Sequence, residues 1–322
     1  MIRYLGRRYR RNTGTVEPTL HDRLVGSNNA RPSSQSSLEL HLGCSGWSHE
    51  TWKSRFYPSN LQTSNWLNYY SKIFEFVEID SSFYVIPDTF MVKNWYAKTP
   101  SRFKFTAKFP KVITHDKKLA NIKNELDYFL TSMRELGDKL FCLVIQLPPS
   151  IKISEGLELL DRALPNLDPA FRYAVEVRDD SWFQDLAYDF FARNNICMVW
   201  TQLQNIQTPP VMTSDFVYLR LIGNTTIDNY GNIRDNRITD LQYWTNKIKQ
   251  IRMYEEASNM VKHVIVSVNN SYTGFGPDTV NSFRKMIGLQ ELQWEDKSGI
   301  QKKIPEYENL SKQKKLHDFL QD

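Results

Sequence analysis

Residues 172–182, RYAVEVRDDSW, read as one buried β-strand that ends in charge. Val175 and Val177 alternate with Glu176 and Arg178, so one face asks for an apolar layer while the other carries opposite charges toward an interior. Asp179, Asp180 and Trp182 follow at once. Burying such charges costs several kcal/mol each unless they are paired or put to use. This strand is therefore expected to be either a wall of a site or part of an ion-pair network.

The same strand type recurs on both sides. Strand-like runs cover 39–45, 74–80, 103–109, 140–149, 172–178, 196–202, 216–223 and 263–270. Helix-like runs fall between them at 65–74, 87–99, 118–138, 154–164 (with Ser154 as an expected N-cap), 182–194 and 239–260, and a last one covers 277–287. Only NIQTPPVMTSD (205–215) separates the sixth and seventh strands, and its prolines argue for a loop in place of a helix. Alternating β and α elements imply a parallel sheet, and eight of them predict an α/β fold, a single (β/α)8 TIM-like barrel. A doubly wound sheet would more often carry GxGxxG after its first strand, and GCSGW (43–47) is not that motif.

Charge divides the chain into three parts. The net charge is +5, and residues 1–37, with seven arginines against Glu17 and Asp22, hold all of it. That tail is poor in aliphatic residues and reads as disordered, with nucleic acid as a partner class it could serve. Residues 38–290 are assigned to the barrel and 291–322 to a charged C-terminal extension. No apolar run approaches the roughly 20 residues of a bilayer span. Cys44, Cys142 and Cys197 lie far apart with no CxxC spacing, which points to a reduced, cytoplasmic setting without disulfides.

Active sites of such barrels lie at the C-terminal strand ends. Period-two alternation turns Glu78 and Asp80 inward on the second strand and Lys104, Thr106 and Lys108 on the third. It does the same for Gln146, Glu176, Arg178, Arg220 and Asn269 or Asn270 further on. Glu78, Lys104, Glu176 and Arg178 are the expected catalytic groups. Trp47, Asp80, Lys108, His115, Gln146, Trp182, Arg220, Asn224, Asn269 and Asn270 are expected to bind substrate. His41 and His263 sit at strand starts, and with no HxH or HExxH a histidine-rich metal centre is not expected. No cofactor is required, although Glu78, Asp80 and Glu176 could hold Mg²⁺. Ser45 lacks the GxSxG spacing of a nucleophile elbow. What is left is carboxylate acid/base work, or Lys104 and Lys108 as a base, a Schiff-base amine or an anion clamp.

Together the motifs resemble the domain-of-unknown-function 72 (YecE-like) family. The likeness runs from about residue 40 to 287 through GCSGWSHETW, FYP (56–58), VEIDSSFYVIP (77–87), Trp95, ITH (113–115), QLPP (146–149), VEVRDDSW, YLRLIG (218–223) and Asn269-Asn270. It implies a TIM-like barrel and no particular reaction. Four positions depart from the family pattern. Asp80 stands for a usual Asn, Asp179 for a usual His, and Trp200-Thr201 replace a usual Asp. Arg220-Leu-Ile-Gly replaces an R-x-H-G motif. The resulting expectation is an enzyme, of hydrolase, lyase or isomerase type, for a small polar or anionic metabolite (phosphorylated or sugar-like). The alternatives are a nucleic-acid-associated or partner-binding barrel and a non-catalytic ligand-binding regulator.

Overall fold

The structure, a computed structural model, describes residues 3–4, 38–225, 236–258 and 260–294. Nine parallel strand segments form one sheet: β1 (Glu39–Ser45), β2 (Phe76–Ile79), β3 (Lys104–Lys108), β4 (Leu140–Gln146), β5 (Tyr173–Glu176), β6 (Cys197–Met198), β7 (Trp200–Leu203), β8 (Phe216–Gly223) and β9 (His263–Val268). Their order is β6-β5-β4-β3-β2-β1-β9-β8-β7. Only Val199 separates β6 from β7. These two pieces are one stave, paired with β5 at its start and with β8 at its end, so the sheet bends round into a nearly closed ring of eight staves.

Helices α1 (Trp66–Ile73), α2 (Thr89–Ala97), α3 (Lys123–Arg134), α4 (Ile153–Ala163), α5 (Asp185–Arg193), α6 (Ile238–Ser258) and α7 (Gly276–Met286) cover the outside. No helix joins the sixth and seventh staves, as the prolines at 209–210 predict. That loop instead carries Val211–Met212, which pairs in parallel with Arg3–Tyr4. The rest of the basic tail lies outside the described residues. Ser154 is not the N-cap of α4: the helix starts one residue earlier, and the Ile153 amide is capped from across the loop by Ser181 Oγ at 3.1 Å. At the other end of the chain, Trp294 packs edge-on against Phe56 and donates to Arg55 O at 2.9 Å, so packed structure continues past 290.

Two cores follow from strand alternation. Outward residues such as Val77, Phe105, Val175 and Leu219 meet the helices. Inward residues, among them Phe76, Cys142, Ala174, Val199, Phe216 and Ile265, plug the lower barrel. The three cysteines are buried free thiols. No helix of the described residues is long and apolar enough to cross a membrane.

Between β1 and β2 the sheet is stitched by a helix side chain. The Tyr70 hydroxyl of α1 accepts from Cys44 N at 2.8 Å and donates to Phe76 O at 3.0 Å. Gly43 makes room for it, since a Cβ there would stand 2.9 Å from that hydroxyl and 2.0 Å from Phe76 O.

Candidate active site at the C-terminal mouth

Above the apolar plug the barrel interior turns polar, and Arg220 of β8 is its centre. Its guanidinium takes Glu78 of β2 in a two-point grip, with Nε to Oε2 at 2.9 Å and Nη2 to Oε1 at 2.6 Å. Its remaining arm donates to Glu176 Oε2 of β5. Ser45 Oγ donates to Glu78 Oε1 at 2.7 Å and Tyr218 OH to Oε2 at 2.6 Å, and Thr106 Oγ1 lies 2.7 Å from the Tyr218 hydroxyl. Glu78, Glu176 and Arg220 are all buried. Burial pushes the Glu78 carboxyl up, but the Arg220 charge and the hydrogen bonds of Arg220, Ser45 and Tyr218 outweigh it and bring it to about 2. Glu176, equally buried, is likewise held below its ordinary value, by the charges of Arg178, Arg220 and Lys108. Both acids are thus ionised and bound. They act as the fixed floor of the mouth, in contrast to the acid/base roles expected from the sequence.

Further polar side chains lie around this floor. Arg178 pairs with Glu176 and donates to Gln146 Oε1 at 3.1 Å, with 16% of its side chain exposed. Arg178 and Gln146 line a cavity of about 290 Å³ with Pro149, Leu203 and Gly223. Lys108 ends β3 beside β4, and its ammonium lies 4.2 Å above the Phe83 ring. Among the described residues its Nζ has no hydrogen-bond or ion-pair partner. Burial, then the positive Arg220, lowers Lys108 to about 8 against the opposing pull of Glu78 and Glu176. His115 meets the same Phe83 ring edge-on at 5.0 Å, within a single π-type turn, Val112–Asp116. Such turns often mark functional sites.

A second pair sits at the end of the neighbouring strand β2. Gly46, at φ +80°, adopts the left-handed conformation that glycine tolerates, and a Cβ there would lie 3.0 Å from Asp80 Oδ1 and 3.1 Å from His49 Nε2. Burial raises Asp80 and lowers His49, and each charge opposes the other's shift. The pair is suited to holding or passing a proton. His49 and Tyr218 were missed in the sequence. Tyr218 could have been found, because it sits two residues before Arg220 and so on the same face.

Other expected site residues lie elsewhere. Lys104 begins β3, paired with Phe76 one layer below Glu78, and its Nζ bonds Asp138 O at 2.8 Å. It takes no part in the network, because parallel register sets Thr106 beside Glu78. Trp182 is fully buried, donating to Ile151 O at 3.0 Å and stacked on Phe191, which makes it core and not a ligand platform. Trp47 packs edge-on against Trp95 at the rim. Asn269 caps the turn Asn270–Tyr272, and Asn270 Oδ1 ties Trp52 Nε1 to Gly276 N. Asn224 follows Gly223 of the cavity wall. Asp179, where a family histidine is usual, pairs with Lys152 and caps its own turn. Mg²⁺ does not fit Glu78, Asp80 and Glu176, since arginines already occupy both glutamates.

Comparison with known proteins agrees with this architecture. The UPF0759 protein YecE of Escherichia coli (strain K12) is 31% identical over 144 residues, 45% of this chain and 50% of that protein. The UPF0759 protein YunF of Bacillus subtilis (strain 168) is 27% identical over 157 residues, 47% of this chain and 54% of that one. The chain spans about half the length of these curated relatives. A crystal structure of a DUF72 family protein from Thermotoga maritima MSB8 superposes with a TM-score of 0.66 at 27% identity, covering 77% of this chain and 99% of that one. One from Enterococcus faecalis V583, at 20% identity and a TM-score of 0.62, shares the fold over 80% of this chain and all of its own. With residues 41–304 matching the family described as "Protein of unknown function DUF72", this barrel belongs to that family.

Proposed function

We propose that this chain is an enzyme acting on a small anionic metabolite, phosphorylated or sugar-like, with Lys108 as its reacting amine and Arg178 as its anion clamp. Lys108 carries the reading. It is a half-buried amine at the C-terminal end of a barrel strand, lowered to about 8 and without an ion-pair partner among the described residues. An amine so tuned is partly neutral near neutral pH and can attack a carbonyl carbon. The carbonyl oxygen then leaves as water and the nitrogen becomes a protonated imine. Arg178 and Gln146 offer donors to an anionic group in the cavity they line. His115 and the Asp80–His49 pair are the proton carriers within the same mouth.

Reductive trapping tests this. Glyoxylate with cyanoborohydride is expected to label Lys108 ahead of the exposed lysines, with a rate midpoint near pH 8. Lys108→Met removes the fast label, and Arg178→Gln slows it roughly tenfold through the lost charged hydrogen bond. Labelling spread evenly over lysines, with Lys108 no faster than exposed Lys93, would overturn the reading.

A further inference from the structure

The opposite end of the barrel holds a second cluster. Glu39 and His41 lie two apart on β1 and so share a face, and His263 of β9 is the register partner of Glu39. Glu39 Oε2 stands 3.6 Å from His41 Nε2 and 3.2 Å from His263 Nδ1, and the three ligand atoms all lie within 4.8 Å of one another. His41 is 8% exposed, and neither its Nε2 nor His263 Nδ1, both buried, has a hydrogen-bond partner.

We propose that Glu39, His41 and His263 form a binding site for a divalent transition cation of the Zn²⁺ type at the N-terminal mouth of the barrel. Two buried imidazole nitrogens face one carboxylate oxygen at 3.2 and 3.6 Å without forming a well-aligned hydrogen bond to it, the arrangement expected of ligands converging on a shared ion. A tetrahedral zinc ion with bonds of about 2.0–2.1 Å sets its ligands about 3.4 Å apart, close to the 3.6 and 3.2 Å from Glu39 to the two imidazoles, whose own separation lies within 4.8 Å. Two imidazoles and a carboxylate suit zinc and its neighbours, while the hard oxygen-seeking cations prefer all-oxygen sites.

The surroundings allow the charge. Arg172 is engaged by Asp215 at 3.7 Å and by the Phe141 ring, and Lys104 points to Asp138 O. Phe141 packs against both histidine rings and orients them. Three protein ligands leave a position for water or a further donor. The strands that supply them are the first and last of the barrel, and the N-terminal face of such barrels serves stability. The cation therefore acts as a clasp between β1 and β9, independent of the reaction at the far mouth.

The test uses the full chain, stripped with EDTA and titrated with ZnCl₂ in a calorimeter, with Co²⁺ absorption reporting geometry. One equivalent, a tetrahedral Co²⁺ spectrum and a higher Tm on Zn²⁺ addition are expected. Glu39→Gln, at a half-exposed position with no core role, is expected to weaken binding at least tenfold while leaving the metal-free Tm unchanged; His263→Asn is expected to weaken it further. Equal binding by wild type and Glu39→Gln, or X-ray absorption showing no imidazole ligands on the bound zinc, would overturn the site.

Discussion

Arg220→Met is expected to lower stability by about 3–5 kcal/mol at pH 7, with a fall in Tm on the order of 10 °C. Methionine keeps much of the length of the arginine stem, so the loss is not chiefly one of packing. It comes from leaving Glu78 inside the barrel with its charge uncompensated, since among the described residues no other cation pairs with it. The pH dependence separates this cause from a cavity effect. In wild type the Glu78 pKa is about 2 folded against 4.5 free, so its contribution is complete above pH 4.5 and is lost as pH falls toward 2. That depression corresponds to about 3 kcal/mol. In the variant, burial dominates and the folded value rises above 4.5. The sign therefore reverses, and acidification through that raised value relieves the variant while it has not yet begun to harm wild type. Urea denaturation at a series of pH values reads both slopes. Parallel curves for the two proteins would show that the network does not carry the charge balance described.

Gly43→Ala is expected to cost about 3 kcal/mol or more, above the usual range for one added methyl. Its Cβ would fall 2.0 Å from the Phe76 carbonyl oxygen, a backbone atom that cannot swing aside. Relief requires β1 and β2 to part, and parting them breaks the Tyr70 bridge. Tyr70→Phe provides the comparison: it removes the hydroxyl, leaves the strands in place, and orphans the Cys44 amide and the Phe76 carbonyl. It should lose about 2 kcal/mol. If Gly43→Ala is no worse than Tyr70→Phe in thermal and urea melts, the close approach of the strands is not the constraint inferred.

The barrel was legible because alternation of period two, and the spacing of eight such runs, are local signals. Glu78, Glu176 and Arg220 were legible as inward residues for the same reason. Their roles were not, because which oxygen faces which nitrogen depends on strands 140 residues apart. Lys104 illustrates the limit: its parity is correct, yet register places it one layer too low. Trp182 shows another, since an aromatic after a charged strand end can close a helix interface as readily as a pocket. His49 had no periodic signal at all, because a loop brings it to Asp80. His41 and His263 were visible singly at strand starts, but not as a set with Glu39, since pairing of the first strand with the last is a property of ring closure.

The order in which Arg220 reaches its partners bears on how the chain is made. Glu78 and Glu176 leave the ribosome well before residue 220, so the emerging first five strands carry two interior acids with no counter-charge from β8. A partial barrel of those strands would have to bury Glu78 without its counter-charge, whereas Glu176 already has Arg178 two residues on. Burying Glu78 is thereby unfavourable until the seventh stave brings its guanidinium, and the ring itself closes only when β9 pairs with β1.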